Sequence, residues 1–185
     1  MARIGLTNIW FSNLTEASDG TATYDGAKNL GKAVSTNFAA NTSDAVLYGD
    51  DAIAESDNVA NGGTLTLGVT EDDDTVFAPL LGHTITNGEV VYTTEDVAPY
   101  VGVGYILTKV VNNSRKYKVD FFNKVKFAEI SYDQNTKGES IEYSTPTIEG
   151  TVSVLKDGSW RKSQTFTDLD DAVTYLKGLM AAPTP

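Results

Sequence analysis

The chain has no cysteine, one histidine, two methionines and no apolar run long enough to span a bilayer. Each shortage closes off a class of chemistry. Without cysteine there are no disulfides, no thiolate nucleophile and no cysteine–zinc site, and folding does not depend on an oxidising compartment. With His83 alone, a nucleophile–histidine–acid arrangement has one place to be, and neither GxSxG nor HExxH occurs. Bases are scarce in the first half: residues 1–99 hold 15 acids and 3 bases, whereas residues 100–185 hold 10 acids and 11 bases. The net charge of −11 opposes long-range attraction to nucleic-acid phosphate. The opening MARIGLTNIWFSN has one arginine and no apolar core, so it does not read as a secretory signal. A soluble protein that stays in the cell that makes it is expected.

What remains is material for a sheet. The 185 residues suit one domain spanning 1–185, and 41% hydrophobic content supplies a core. Residues 64–70 alternate, with Leu65, Leu67 and Val69 on one face and threonines on the other. Residues 100–111 and 117–127, joined through Asn112 and Asn113, predict a hairpin; Gly102 and Gly104 leave room on one face for another surface. Tyr117, Val119, Phe121, Val125 and Phe127 are read in one phase, broken by Asn123. Further strands are expected at 6–14, 30–40, 85–93 (turning at Asn87–Gly88), 129–133, 139–145 and 147–156. A short helix follows the acids of 71–74, with Pro79 inside it and Gly82 ending it. A second helix, capped by Thr167, buries Leu169, Ala172, Val173, Leu176 and Met180. The Asp/Asn/Ala/Gly-rich stretch at about 41–63 reads as a long flexible loop with at most a short strand at 45–48. The predicted class is mainly β with one or two short helices, a β-sandwich or rolled antiparallel sheet.

The residues that carry chemistry elsewhere read as scaffold here. The run 71–74 lacks the spaced oxygen ligands of a calcium loop and suits the positive end of a helix; Asp168, Asp170 and Asp171 read the same way. His83, just past the helix-ending Gly82, reads as structural. GVGY lies inside a strand pattern with no helix after it, so it is not a dinucleotide fingerprint. Arg115, Lys116, Lys118, Lys124 and Lys126 interleave with Tyr117, Phe121 and Phe122. Alternation assigns Lys118, Lys124 and Lys126 to the face opposite Tyr117, Phe121 and Val125, which favours a subunit contact or a solvated face over nucleic acid. Trp10 and Trp160 read as packing or interface aromatics. No catalytic residue, metal site or cofactor is expected.

Several stretches in order resemble the major tail protein, or tail tube protein, of long-tailed bacteriophages of Gram-positive hosts. They are GLTNIWF, the extended piece before the acidic loop, GTLTLGVTEDDDTVFAPLLGH, YVGVGYILTKV, KVKFAEISYDQNTKGESIEYSTPTIEGTV and DGSW…FTDLDDAVTYLKGL. The likeness covers nearly the full length. It implies a tail-tube-type sheet with flanking helices that self-assembles into stacked hexameric rings around a tape-measure protein. It also implies tail-tip and terminator proteins as partners, and a lumen through which viral DNA passes without specific binding during ejection. The protein would reside in the virion tail after assembly in the host cytoplasm, with no membrane partner. Sheet edges left open in one subunit could be closed by identical neighbours. Charge asymmetry suggests an inter-ring interface in which Asp44, Asp50, Asp51, Glu55 and Asp57 meet Arg115, Lys116 and Lys118. The alternative reading is a β-sandwich carbohydrate- or receptor-binding module, and an enzyme is the third.

Overall fold

Strand-forming residues recur along most of the chain, and the computed structural model pairs them into one large antiparallel sheet. It describes residues 2–49, 52–71, 73–131 and 145–181, with side chains placed except at 2–3 and 44–58. The elements run β1 (Ala2–Glu16), β2 (Ala22–Tyr24), β3 (Lys28–Asn29), β4 (Ala33–Gly49), β5 (Ala52–Val69), α1 (Asp74–Leu81), β6 (Thr84–Thr86) and β7 (Glu89–Val91). They continue as β8 (Val101–Val111), β9 (Ser114–Phe127), β10 (Thr147–Val152), β11 (Arg161–Phe166) and α2 (Leu169–Leu179). The sheet order is β2-β1-β8-β9-β10-β5-β4; β3 also pairs with β1, and β11 with β9. β6 and β7 form a separate hairpin. The fold is mainly β with two short helices, as the sequence predicts.

The sheet rolls until β1, second from one end of the order, approaches β4 at the other. Inside the roll, Leu65, Leu67 and Val69 of β5 meet Val101, Val103 and Tyr105 of β8, Phe122 and Val125 of β9, and Ile148 of β10. Phe38 of β4 crosses the interior to Phe122 (ring centroids 4.8 Å) and stacks on Trp160 at 5.5 Å. α1 adds Phe77, Leu80 and Leu81 to this core. Its cap is Asp73, whose side chain accepts the Thr75 N–H at 2.9 Å, and Gly82 ends it at φ 85°, a left-handed position where a side chain is strained. On the opposite face, α2 packs Ala172, Leu176 and Met180 against Ile106, Val119 and Phe121. The absent side chain of Gly104 makes room for Leu176, and that of Gly102 for the Tyr24 and Phe121 rings.

Turn chemistry accounts for the hairpins. Asn112 and Asn113 both take positive φ (49° and 61°) between the paired Val111 and Ser114, as a two-residue type I′ turn requires. Asn87 (φ 53°) and Gly88 (φ 85°) do the same between β6 and β7.

Several expectations need correction. The expected loop at about 41–63 is instead mostly paired strand: β4 continues to Gly49 and β5 begins at Ala52. Its polar composition hides pairing that two long adjacent strands impose on each other. β10 ends at Val152 rather than near 156, and the unpredicted β11 follows. Between them residues 153–160 loop out, because Ser153 N–H bonds Lys124 O at 2.8 Å while the adjacent Asn123 N–H bonds Trp160 O at 3.0 Å. The two strands therefore act as one interrupted strand along the edge of β9. α2 is capped by Asp168, not Thr167: its carboxylate accepts the Asp170 N–H at 2.8 Å and its charge suits the helix N-terminus. Of the strand expected at 129–133, the described residues 129–131 hold an isolated bridge from Ser131 to Thr147; residues 132–133 and most of the strand expected at 139–145 lie outside the described residues.

Candidate functional site

The acidic residues singled out from charge lie on a two-stranded arm. β10 pairs with β5 only from Gly63 to Gly68. Beyond that point β5 pairs with β4 alone, through Thr42↔Ala60 to Gly49↔Ala52. In register, Asp44 is opposite Asn58, Asp57 opposite Ala45 and Glu55 opposite Leu47. Asp50 and Asp51 lie outside the described residues. At the root of the arm the pairs Ala40↔Gly63 and Thr42↔Ala60 leave two residues, Asn61 and Gly62, facing Asn41 alone, which makes a β-bulge.

Strand direction fixes where the arm points. β9 runs away from the Asn112–Asn113 turn, β10 runs against it, and β5 runs with it. Gly63 is level with Val125 through Val152. The arm therefore extends from that level back toward the end of the sheet that carries the β8–β9 turn. Arg115 and Lys116 sit beside that turn, Arg115 exposed and Lys116 half-buried.

Lys118 does not belong with them. Its Nζ lies 2.8 Å from Asp120 Oδ1, and Arg161 Nη2 approaches the same oxygen at 2.8 Å. Asp120 is only 1% exposed, inside the roll. Burial pushes its carboxyl up, but hydrogen bonds from Lys118, Arg161 and Ser163 outweigh that and hold it below the usual range. The Arg161 guanidinium also lies over the Phe122 and Phe38 rings, 5.5 and 5.9 Å from their centroids. A pocket of about 170 Å³, lined by Thr36, Tyr105 and Arg161 among others, adjoins this cluster. Lys118 is thus paired within its own core, apart from Arg115 and Lys116.

The single phase read along β9 also fails, for a physical reason. Val103 pairs with Phe122 but Val101 with Val125, so two residues of β9 face one of β8. This bulge at Asn123–Lys124 inverts the alternation. Val125 and Phe127 join Phe122 inside the roll, while Val119 and Phe121 pack under α2. Lys124 and Lys126 consequently fall on the outer face and Lys118 on the inner one. Lys124 Nζ reaches Glu16 Oε2 at 2.6 Å. Both lysines lie over the ring of Tyr100, at 4.7 and 5.6 Å.

His83, read as structural, links three segments. Its side chain is 3% exposed; Nδ1 lies 2.7 Å from Asp96 Oδ2, and Nε2 lies 3.0 Å from Glu129 Oε1. Tyr92 covers the ring at 4.3 Å. Asp96 also accepts from Thr93 N–H at 2.9 Å and from Thr93 Oγ1–H at 2.6 Å. The Thr93 hydroxyl, then His83, hold the Asp96 carboxyl down to about 2. A depressed carboxylate contributes stability that is complete above its unfolded value, about 4, and is lost as pH falls through its folded value. Asp96→Asn is therefore expected to flatten the fall of the urea midpoint between about pH 4 and pH 2. Equal slopes for variant and wild type would contradict the linkage.

The roll leaves an open cleft of about 690 Å³ where β1 and β4 approach, lined by Leu6, Asn8, Asn29, Lys32, Glu71 and Val76 among others. Among the described residues no aromatic ring lines it. Among the described residues no group of three or more histidine, aspartate or glutamate side chains could hold a metal ion. No model of a known protein family matches the chain, and a search of curated proteins finds no match either.

Proposed function

We propose that this chain is a structural, non-catalytic subunit of a phage tail tube, assembling with its own copies into stacked six-membered rings. In this reading a tape-measure protein fills the tube during assembly in the host cytoplasm, tail-tip and terminator proteins close its ends, and DNA later leaves through the lumen.

The observation that carries the reading is the edge of the sheet. β4 is seventeen residues long and pairs with no strand on its outer side among the described residues, although β1 approaches it. Its distal half leaves the body as a two-stranded arm. A long open edge is a template for further pairing, which proteins normally shorten, cover or charge. A ring of identical copies covers it by supplying a neighbour. The outer face of β4, β5 and β10 gives further support. It aligns Ser35 with Thr147, Asn37 with Thr66 and Glu149, and Ala39 with Thr64 and Thr151. These three strands carry hydroxyls and no lysine or arginine, so a wall made of them would let phosphate slide past rather than hold it.

The rival, a carbohydrate- or receptor-binding module, calls for an aromatic platform in a groove. The large cleft offers amides, a lysine and a glutamate instead.

Negative-stain microscopy of concentrated protein tests the proposal: rings or hollow tubes are expected, and discrete monomers that retain a sugar ligand would replace it with the rival. Deleting residues 45–59 removes pairs that β4 and β5 make only with each other. The deletion is expected to leave circular dichroism and cooperative unfolding in place while abolishing tubes. Normal tubes from that variant would remove the arm from the assembly.

A further inference from the structure

Resting on the tube reading, we infer that the acidic arm of one copy docks on the Tyr100–Lys124–Lys126 surface of the next copy in the stack, and not on Arg115 and Lys116. Head-to-tail growth joins unlike ends of successive subunits. The arm and the Arg115–Lys116 turn lie toward the same end of the sheet, by the register of β5, β10 and β9. An arm reaching forward therefore meets the opposite end of its neighbour. That end carries Tyr100, just before β8, and the last residues of β9.

The surface there has charge to spare. Two lysines share the ring of one tyrosine that is 42% exposed. Glu16 neutralises Lys124 at 2.6 Å. Among the described residues Lys126 has no carboxylate partner. Glu149, two residues along β10 from the Thr151 that pairs with Lys126, makes no ion pair with it. Two ammonium groups beside a single carboxylate invite a second one. The occupant fits: residues 41–63 hold Asp44, Asp50, Asp51, Glu55 and Asp57 and no base. Nine residues of strand from 52 to 60 span about 30 Å, which brings the tip of the arm to the end of the sheet that faces the next copy. Tyr100 adds a flat ring for the arm's backbone to lie against.

The test compares Lys126→Glu, Arg115→Glu and wild type by microscopy and by sedimentation of assembled polymer, after circular dichroism confirms folding. Wild type and Arg115→Glu are expected to make tubes alike. Lys126→Glu is expected to lose at least ten-fold in sedimented polymer, and Asp57→Lys added to it is expected to restore part of the loss. If Lys126→Glu does not fold, Lys126→Gln is used, with a smaller loss in the same direction expected. Tubes from the Lys126 variant equal to wild type, or an equal loss in Arg115→Glu, would overturn the docking site while leaving the tube reading intact. Wild type that forms neither rings nor tubes at any concentration would overturn the reading and this inference together.

Discussion

Asp120→Ala is expected to destabilise the protein by roughly 3 to 5 kcal/mol, the usual cost of removing one partner from a buried ion pair. The carboxylate is 1% exposed and sits between Lys118 and Arg161, each at 2.8 Å. Removing it leaves two cations facing each other inside the roll. Arg161 keeps its contact with the Phe122 and Phe38 rings, which offsets only part of the loss. The penalty comes from the orphaned charges more than from the attraction itself. Replacing all three groups with apolar residues of similar size, Asp120→Leu with Lys118→Met and Arg161→Met, is therefore expected to recover most of the stability. Urea unfolding of the single and triple variants checks both statements. A single variant within about 1 kcal/mol of wild type would mean that water screens the cluster. The pH dependence has a definite sign: the Asp120 carboxyl is held low, so its contribution is present at neutral pH and declines as the solution is acidified.

The sequence makes elements legible where local chemistry and tertiary demand agree. Asn112–Asn113 can adopt the two positive φ angles of a tight hairpin, and both β8 and β9 are rich in strand formers, so that hairpin is readable from either direction. Gly82 and the stripe Ala172, Leu176 and Met180 are legible for the same reason. The arm is not, because its Asp, Asn, Ala and Gly residues show no alternation; register with a long partner strand makes it β. β11, RKSQTF, has one large apolar residue, at its end; its place is set by the free edge of β9 and by Arg161 reaching Asp120. The candidate interface suffered from a single-residue effect. One bulge at Asn123–Lys124 moves Lys118 to the face opposite Lys124 and Lys126, and no pattern over β9 alone reveals it. The ion pair between Glu16 and Lys124, 108 residues apart, is likewise a product of the fold.

Gly62→Ala is expected to cost roughly 3 kcal/mol, as the sum of a left-handed backbone and a collision in a packed place. Gly62 has φ 85° in the bulge at the root of the arm. A Cβ there would run into the carbonyl oxygen of Val152, the last residue of β10. That obstacle is backbone, so it cannot swing aside as a side-chain end would. Gly88 supplies the control: it has the same φ of 85°, in the β6–β7 turn, with nothing within 4 Å of its added Cβ. Gly88→Ala should show only the conformational part, about 1 kcal/mol. The difference between the two variants in urea unfolding isolates the contact between the bulge and the end of β10. Equal effects would mean that the root is free to move away from β10. A large difference would mean that the arm leaves the sheet at a fixed angle, set where β10 stops covering β5. In the tube reading that angle aims the arm at the next subunit. Gly62→Ala should then shorten tubes even under conditions where the subunit remains folded, whereas Gly88→Ala should leave their length unchanged.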